Sequence, residues 1–466
     1  MSLKYAATKV GEGHYVLPKT KEMRVDAHAF LSESLYEASD ETLWDQLRNG
    51  ASYEGVTGAY IMPDAHMGYG VPIGSVIVTE DTLIQAGSGY DISCGVLYMS
   101  TGLMAADIQD LTRRRLWIEE IEQRVALGVG SNRPTLMPSF DQKKADDLLR
   151  YGGQTLGVPA DFCERLFIPV NEDRLVPIEK AQRKILAQLG SLGGGNHFIE
   201  MQVDEASGEV FAMVHCGSRG YGWQTAEHFF YAGAEVRGLA KNCRGDSWLR
   251  VDEPLGQQYW ACHNAAANFA IANRHIIAAG VQQATDKVYG ASGQVFYEIS
   301  HNLIQEETLV LPDGSTKKGL VHRKGATRAM PKGHPDLVGS KWAETGHPCL
   351  IPGSMYDGAA ILFPLEGAHK TACSVNHGSG RTKGRKAAKR ELAERQDEIN
   401  AEMRDVKRTF GGVEVEGILC NTRQVPLDEC AHVYKDLDAV LDVLKVEGVA
   451  EVHRRLYPVA NLKGMD

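Results

Sequence analysis

Apolar residues recur with a helical period in five long stretches, residues 110–128, 177–190, 257–280, 384–406 and 434–448, and each predicts a helix. Between them the period changes. The stretch 58–84, GAYIMPDAHMGYGVPIGSVIVTEDTLI, sets β-branched residues between Gly and Pro and predicts strands, while 308–325 predicts a hairpin turning at Pro-Asp-Gly-Ser. A second hairpin is predicted where HFIEMQV and EVFAMVH flank DEASG. Centred near Ala206, it would set His197 roughly opposite His215, with Cβ atoms about 5 Å apart. Helices and hairpins alternate without a βαβ rhythm, so the expected class is α+β with mixed and antiparallel sheets. No repeat, low-complexity tract or long linker divides the 466 residues, and one compact domain over 1–466 is expected.

Composition changes this picture only in part. At 43% apolar residues the chain has ample material for a core, yet no run approaches the roughly 20 apolar residues that span a bilayer. The opening MSLKYAATKVGEGHYVLPKTKEM lacks the apolar centre of a signal peptide, so no membrane and a cytoplasmic location are expected. Nine cysteines without a CxxC pair read as mostly buried thiols rather than a disulfide framework. A net charge of −10 disfavours indiscriminate nucleic-acid binding and leaves room for a local basic surface.

The chemistry gathers in loops of small residues beside His, Ser or Arg: LGGGNHFIEM (192–201), VHCGSRGYG (214–222), LIPGSM (350–355) and NHGSGR (376–381). GYDISCGV (89–96) adds Asp91 and Cys94, and ISHNLIQEE (299–307) adds His301 followed by Asn302. Taken singly, each is equally a turn carboxylate, a buried thiol or a strand-end imidazole. Together, Asp91, Cys94, His197, His215 and His301 form a mixed hard and soft donor set. Five ligands exceed what one open catalytic ion needs, and one thiolate can bridge two cations, so a two-metal site and phosphate chemistry are expected.

MPDAHMGYGVPIG (62–74), GYDISCGV, LGGGNHFIE, VHCGSRGYG, HNL with its following EE, HRKGATRA (322–329), IPGSM, HGSGR and the C-terminal NLKG (461–464) occur in the order, and over nearly the whole length, of the RtcB family of GTP-dependent RNA-splicing ligases, which the chain resembles. The resemblance implies an RtcB-like fold around a buried two-manganese site. It implies joining of an RNA 3′-phosphate or 2′,3′-cyclic phosphate to a 5′-hydroxyl with GTP, in tRNA splicing or RNA repair. Asp91, Cys94, His197, His215 and His301 would hold the two manganese ions. His377 would be the nucleophile that carries GMP, and Asp64 an acidic group near the 5′-hydroxyl path. GTP would be bound by Asn196, Glu200, Asn302, Pro352, Gly353, Ser354, Met355, Gly378, Ser379, Gly380 and Lys463. Glu200 would read guanine N1–H and the exocyclic amine together, Lys463 would contact the base, and Gly378 and Gly380 would let backbone N–H groups approach the α-phosphate. Arg323, Lys324, Arg328 and Arg381 would face RNA or phosphate, and the basic runs 112–115 and 381–390 are further candidates for an RNA surface. The resemblance leaves the natural RNA and the need for an activating protein partner open.

Three departures from the family pattern stand out: Leu97 where Arg is common after CGV, Ser379 in place of Ala, and Ala359 where a serine commonly helps hold the nucleotide. They keep a diverged relative specialised in RNA repair or end capping in view. A manganese phosphoesterase would use the same ligands, but would need neither His377 in a glycine loop nor Glu200.

Overall fold

The computed structural model describes residues 2–130, 141–311 and 313–464. The chain folds as α+β around two large sheets. The first has seven strands in the order Thr8–Lys9, His14–Leu17, Ala27–Phe30, Val56–His66, Ile73–Thr79, Thr316–Lys324, Asn302–Val310, antiparallel except between the third and fourth. The second runs Val295–Ser300, Gly95–Met104, Glu209–Cys216, Phe198–Asp204, Ala450–Lys463, Ala359–Pro364, Cys349–Pro352, with the short Leu419–Cys420 pairing in parallel on Ala450–Lys463. His301 alone separates the edge strand of one sheet from the edge strand of the other.

Helix Pro254–Tyr289, longer than the 257–280 stretch predicts, packs beside the second sheet. Its small residues, among them Ala265, Ala266, Ala267, Ala270 and Ala272, are fully or nearly fully buried, which lets neighbouring elements approach it on all sides. Glu253 precedes Pro254 at the first helical position, where proline's missing N–H costs nothing, and Gly290 ends the helix in a left-handed conformation. Helices Leu111–Arg124, Glu179–Gln188 and Leu437–Val446 lie within their predicted stretches. The stretch 384–406 is not one helix: Arg385–Glu391 and Gln396–Asp405 are separated by a tight turn at Ala393–Arg395. Helix Arg219–Val236 was not signalled by the pattern, because Gly220, Gly222 and an almost continuous apolar surface hide its period.

The hairpin at 198–216 forms, one position from its predicted register. Phe198 pairs with His215, so His197 falls just beyond the strand, level with Cys216. Asn302–Val310 and Thr316–Lys324 pair as the predicted hairpin; Pro312 of its predicted turn lies outside the described residues, as do Met465 and Asp466. All nine cysteines are free thiols, seven of them buried. Among the described residues no helix is long and apolar enough to cross a membrane.

Arg323 and Glu307 face each other between adjacent strands with 2% and 1% of their side chains exposed, joined by two parallel hydrogen bonds of 2.6 and 2.8 Å. Removing one member of such a pair leaves a buried charge. Glu307→Leu should therefore lower stability by about 3–5 kcal/mol, and adding Arg323→Met should recover most of the loss, read from denaturant midpoints of the two variants.

Candidate active site

Five strands of the second sheet end at the same edge. Ser300 and Cys216 both lie opposite Gly95, while His215 and Lys463 both lie opposite Phe198. Residues at or just past these ends, Cys94, His197, His215, His301 and Lys463, are thus delivered to one place by backbone pairing alone. A single guanidinium fastens it. Arg274, fully buried on the long helix, donates to the carbonyls of Ser93 (2.5 Å) and Cys216 (2.9 Å) and to Ser300 Oγ (3.1 Å), the chain neighbours of Cys94, His215 and His301. Its Nε donates to Glu298 at 2.6 Å.

The donor atoms fall into two groups of three that share one sulfur: Asp91, Cys94 and His197, and Cys94, His215 and His301. Cys94 Sγ lies 3.5 Å from His197 Nε2 and 3.2 Å from His215 Nε2. His197 Nε2 is 2.9 Å from Asp91 Oδ2, and His215 Nε2 is 3.3 Å from His301 Nε2. Against the effect of burial, the Cys216 and Cys94 sulfurs and the Asp91 carboxylate hold His197 well above the usual histidine range, so its Nε2 donates to Asp91 and gives up its proton only when a cation binds. Nδ1 of His197 donates to the carbonyl of Leu192 at 2.9 Å, which fixes the orientation of the ring. That bond explains the glycine loop: Leu192 and His197 meet only because the chain doubles back through Gly193 and Gly195, both at positive φ. Burial, followed by neighbouring imidazoles, holds His215 and His301 well below the usual histidine range, so both are neutral donors. Burial and the Asp91 carboxylate push the Cys94 thiol up to about 12, so it keeps its proton until a cation arrives. Two imidazole nitrogens facing each other across a shared thiol have little to gain from one another and suit a pair of borderline divalent ions.

Beside this cluster, His377 sits 4.9 Å from His301, ring centre to ring centre. Its Nδ1 donates to Asp64 Oδ2 at 2.6 Å, and the backbone N–H groups of His377 and Gly378 reach the same oxygen at 3.1 and 3.3 Å. Oδ2 accepts from both backbone N–H groups, so Nδ1 is the donor in its contact with the ring, and Nε2 is the nitrogen that Asp64 leaves free. Asp64 is itself fully buried, and its Oδ2 holds both the ring and the backbone of His377. Gly380, at φ +76, packs on the Asp64 carbonyl where any Cβ would collide. Its requirement is the docking of loop 376–381 on Asp64. Gly378 is the less crowded of the two glycines.

Both features open into a cavity of about 360 Å³. Its wall includes Asn196, Glu200, Asn302, Pro352, Gly353, Ser354, Met355, Gly378, Ser379, Gly380 and Lys463, together with His215, His301 and His377. Asn302 bridges two loops, donating to the Asp91 carbonyl at 3.1 Å and accepting from Gly325 N–H at 2.7 Å. The Ser379 hydroxyl is buried without a hydrogen-bond partner. Glu200 is 3% exposed, with Gln202 donating to one oxygen and Asn461 to the other; burial outweighs these bonds and raises its carboxyl to about 7.

Phe198, Tyr434 and Glu429 also line the cavity, although no sequence signal singled them out. Glu429, 4% exposed, accepts from Lys463 Nζ (3.1 Å) and Tyr434 OH (2.6 Å) on one oxygen and pairs with Arg381 (3.1 Å) and Arg385 (3.3 Å) through the other. Lys463 also lies 5.1 Å above the Phe198 ring. Their partners stand far apart in the chain, which is why the local pattern was silent.

Several of the basic residues lie elsewhere or are already engaged. Arg323 is locked to Glu307 and Arg328 to Glu164, both buried, so neither presents a free face to a polyanion. Arg381 reaches the cavity wall, yet its guanidinium is held by Glu429, the Asp428 carbonyl and Tyr434. Lys324 reaches the cavity too, donating to the Tyr69 and Val71 carbonyls, and burial lowers its ammonium to about 7. In run 112–115, Arg114 is fully buried on the Gly417 and Val459 carbonyls, Arg113 donates to the Val288 carbonyl and Arg115 to that of Cys420. In run 381–390, Lys383 and Lys389 pair with Glu391 and Asp428. Leu97 and Ala359 are fully buried core positions and do not line the cavity.

The family model described as tRNA-splicing ligase RtcB matches residues 46–464. The chain belongs to the RtcB family. It is 32% identical to the tRNA-splicing ligase RtcB of Archaeoglobus fulgidus, with 100% of both chains covered. It is also 32% identical to that of Thermococcus kodakarensis, with 98% of each covered. The RNA-splicing ligase RtcB of Mycobacterium tuberculosis is 33% identical over 90% of this chain and all of its own. The match to RtcB thus spans the cavity wall, both ligand triads and the His377 loop.

Because Cys94 belongs to both triads, Cys94→Ser should weaken two binding events, whereas His301→Ala should weaken one. Each affected affinity should fall by more than about 100-fold, the upper range for altering a residue that merely supports a ligand, as read by calorimetric titration with a divalent ion.

Proposed function

We propose that this RtcB protein is an RNA ligase that uses GTP and two manganese ions to join RNA 3′-phosphate or 2′,3′-cyclic phosphate ends to 5′-hydroxyl ends, in tRNA splicing or RNA repair. The observation that carries the reading is the adjacency of a shared-thiol double triad to an imidazole whose Nδ1 is held by a buried carboxylate. A phosphoesterase needs the first but has no use for the second.

Asp91, Cys94 and His197 would hold one manganese ion, and Cys94, His215 and His301 the other. When bound there, manganese supplies Lewis-acid neutralisation of phosphate charge. The protein's own part is binding, orientation and covalent transfer. Nε2 of His377 attacks the α-phosphorus of GTP, a P–N bond forms and pyrophosphate leaves. Asp64 keeps the proton on Nδ1, so the attacking nitrogen needs no separate base and the positive charge that develops on the ring is balanced at 2.6 Å. Water first opens a 2′,3′-cyclic end to the 3′-phosphate; an oxygen of the 3′-phosphate then attacks the GMP phosphorus and breaks the P–N bond, and the 5′-hydroxyl oxygen attacks the activated 3′-phosphorus, its proton passing to solvent as GMP leaves. The Gly378 N–H is taken by Asp64, so the Ser379 hydroxyl, buried without a partner, is the loop's donor to a phosphate oxygen, and Glu200 at the cavity wall would pair with the guanine edge while Lys463 contacts the base. Buried free thiols suit the reducing cytoplasm.

His377→Ala should lose protein labelling by α-labelled GTP and lose sealing of 3′-phosphate to 5′-hydroxyl ends, while still sealing RNA already carrying a 3′ guanosine cap joined through a diphosphate. GTP-dependent sealing of uncapped ends by this variant would remove His377 from the mechanism.

Glu200 supplies a pH signature. Its folded carboxyl, raised from the ordinary value to about 7, is ionised only above that pH, and only the ionised form accepts both guanine donors. Affinity for GTP should therefore rise through pH 7 and fall about tenfold per unit below it. Glu200→Gln should flatten the profile and reduce preference for GTP over ATP by about 10- to 100-fold, the worth of a hydrogen bond to a charged acceptor. Competition binding from pH 5.5 to 8.5 measures both.

A further inference from the structure

A third buried group of metal-binding side chains lies outside the cavity. Cys163 closes the short helical turn Ala160–Phe162, His275 follows Arg274 on the long helix, and Glu298 sits on the edge strand Val295–Ser300. A thiol sulfur, an imidazole nitrogen and a carboxylate oxygen from the three lie within 4.8 Å of one another. Cys163 Sγ and His275 Nε2 are 3.2 Å apart, the separation of Cys94 Sγ and His215 Nε2 in the active-site cluster. Exposure is 5%, 7% and 1% for Cys163, His275 and Glu298.

We propose that Cys163, His275 and Glu298 form a third metal site, distinct from the two triads at Cys94, that takes a borderline divalent ion such as zinc. Thiolate, imidazole and carboxylate are the donors zinc accepts in one tetrahedron, whereas magnesium and calcium call for oxygen alone. Three protein ligands leave a fourth position. A chamber of about 580 Å³ bordered by Cys163, Glu164 and Tyr297 touches the group at its thiol and gives an ion a path to Cys163. The Cys163 proton leaves to solvent as the ion binds, and with the Glu298 carboxylate shared between Arg274 and the ion the loaded group carries a single positive charge. Arg274 does not block it: both guanidinium contacts to Glu298 fall on Oε1, leaving Oε2 for the ion, and a carboxylate ligand held by an outer donor is the usual arrangement.

The site would support rather than perform chemistry. Arg274 links Glu298 to the Ser93 and Cys216 carbonyls beside Cys94 and His215. An ion on Oε2 fixes Glu298, and through Arg274 it stiffens the wall on which the active-site ligands stand. The inference stands apart from the ligase reading, since it concerns residues outside the cavity.

Cobalt absorption tests it, because a thiolate bound to cobalt gives a near-ultraviolet charge-transfer band. In full-length Cys94→Ser protein the active-site triads have lost their sulfur, so a band developing to one equivalent of added cobalt is the expected result. The band should vanish in Cys94→Ser/Cys163→Ser and weaken or shift in Cys94→Ser/His275→Gln. Zinc should raise the thermal midpoint of Cys94→Ser but not of Cys94→Ser/Cys163→Ser. No band in Cys94→Ser, or a band that survives Cys163→Ser, overturns the site and reduces the 3.2 Å contact to a thiol–imidazole hydrogen bond. Should the Cys163 variant not fold, the first spectrum and the His275 variant decide the matter.

Discussion

A guanidinium buried without any exposure must have every donor directed at an acceptor, or it would expel itself or unfold its surroundings. Arg274 meets that demand with backbone carbonyls and hydroxyls from three separate segments and one carboxylate, and those segments are the ones that present Cys94, His215 and His301. The requirement of one cation therefore sets the spacing of the ligand cluster. Ser93 adopts φ +57, a conformation costly for a residue with a side chain, and its carbonyl and hydroxyl both lie within reach of Arg274. Strain at Ser93 and satisfaction of Arg274 offset one another.

The same economy of buried charge recurs twice around the cavity. Asp64 collects three N–H donors on one oxygen and so fixes both the ring and the backbone of His377. Glu429 collects a lysine, a tyrosine and two arginines that would otherwise repel each other, and holds the end of the last strand against loop 376–381. In each case a carboxylate with little or no exposure ties together segments distant in the chain.

Local pattern made much of the fold legible. Alternation and turn residues marked the 198–216 hairpin, and helical periodicity bracketed three of the five predicted helices and the middle of a fourth. The hairpin register slipped by one because the turn of Glu205–Gly208 is centred between residues, which no alternation count resolves. The loops with small residues beside His were readable as unusual one at a time; that they meet is a property of strand order, invisible before pairing is known. Arg323, Arg328 and Arg114 show the opposite limit. Each sits in a basic motif that resembles a binding surface, and each is spent on a buried partner 16, 164 or more than 300 residues away. A basic motif does not reveal whether its carboxylate is inside the same molecule.

His301 links the edge strands of two sheets that otherwise answer to different hydrogen-bond networks. Its imidazole lies 3.3 Å from His215, which belongs wholly to the second sheet. The His301 N–H also donates to the Cys94 carbonyl at 2.8 Å, so the ring is carried by the pairing of the second sheet, and a slip of one strand there by a single residue, about 3.3 Å, would double the separation from His215 or bring the rings into collision. The ligand cluster thus acts as a vernier on that sheet: donors converge only when its strand ends are in register, so assembly of the metal-binding group is a checkpoint on strand pairing itself.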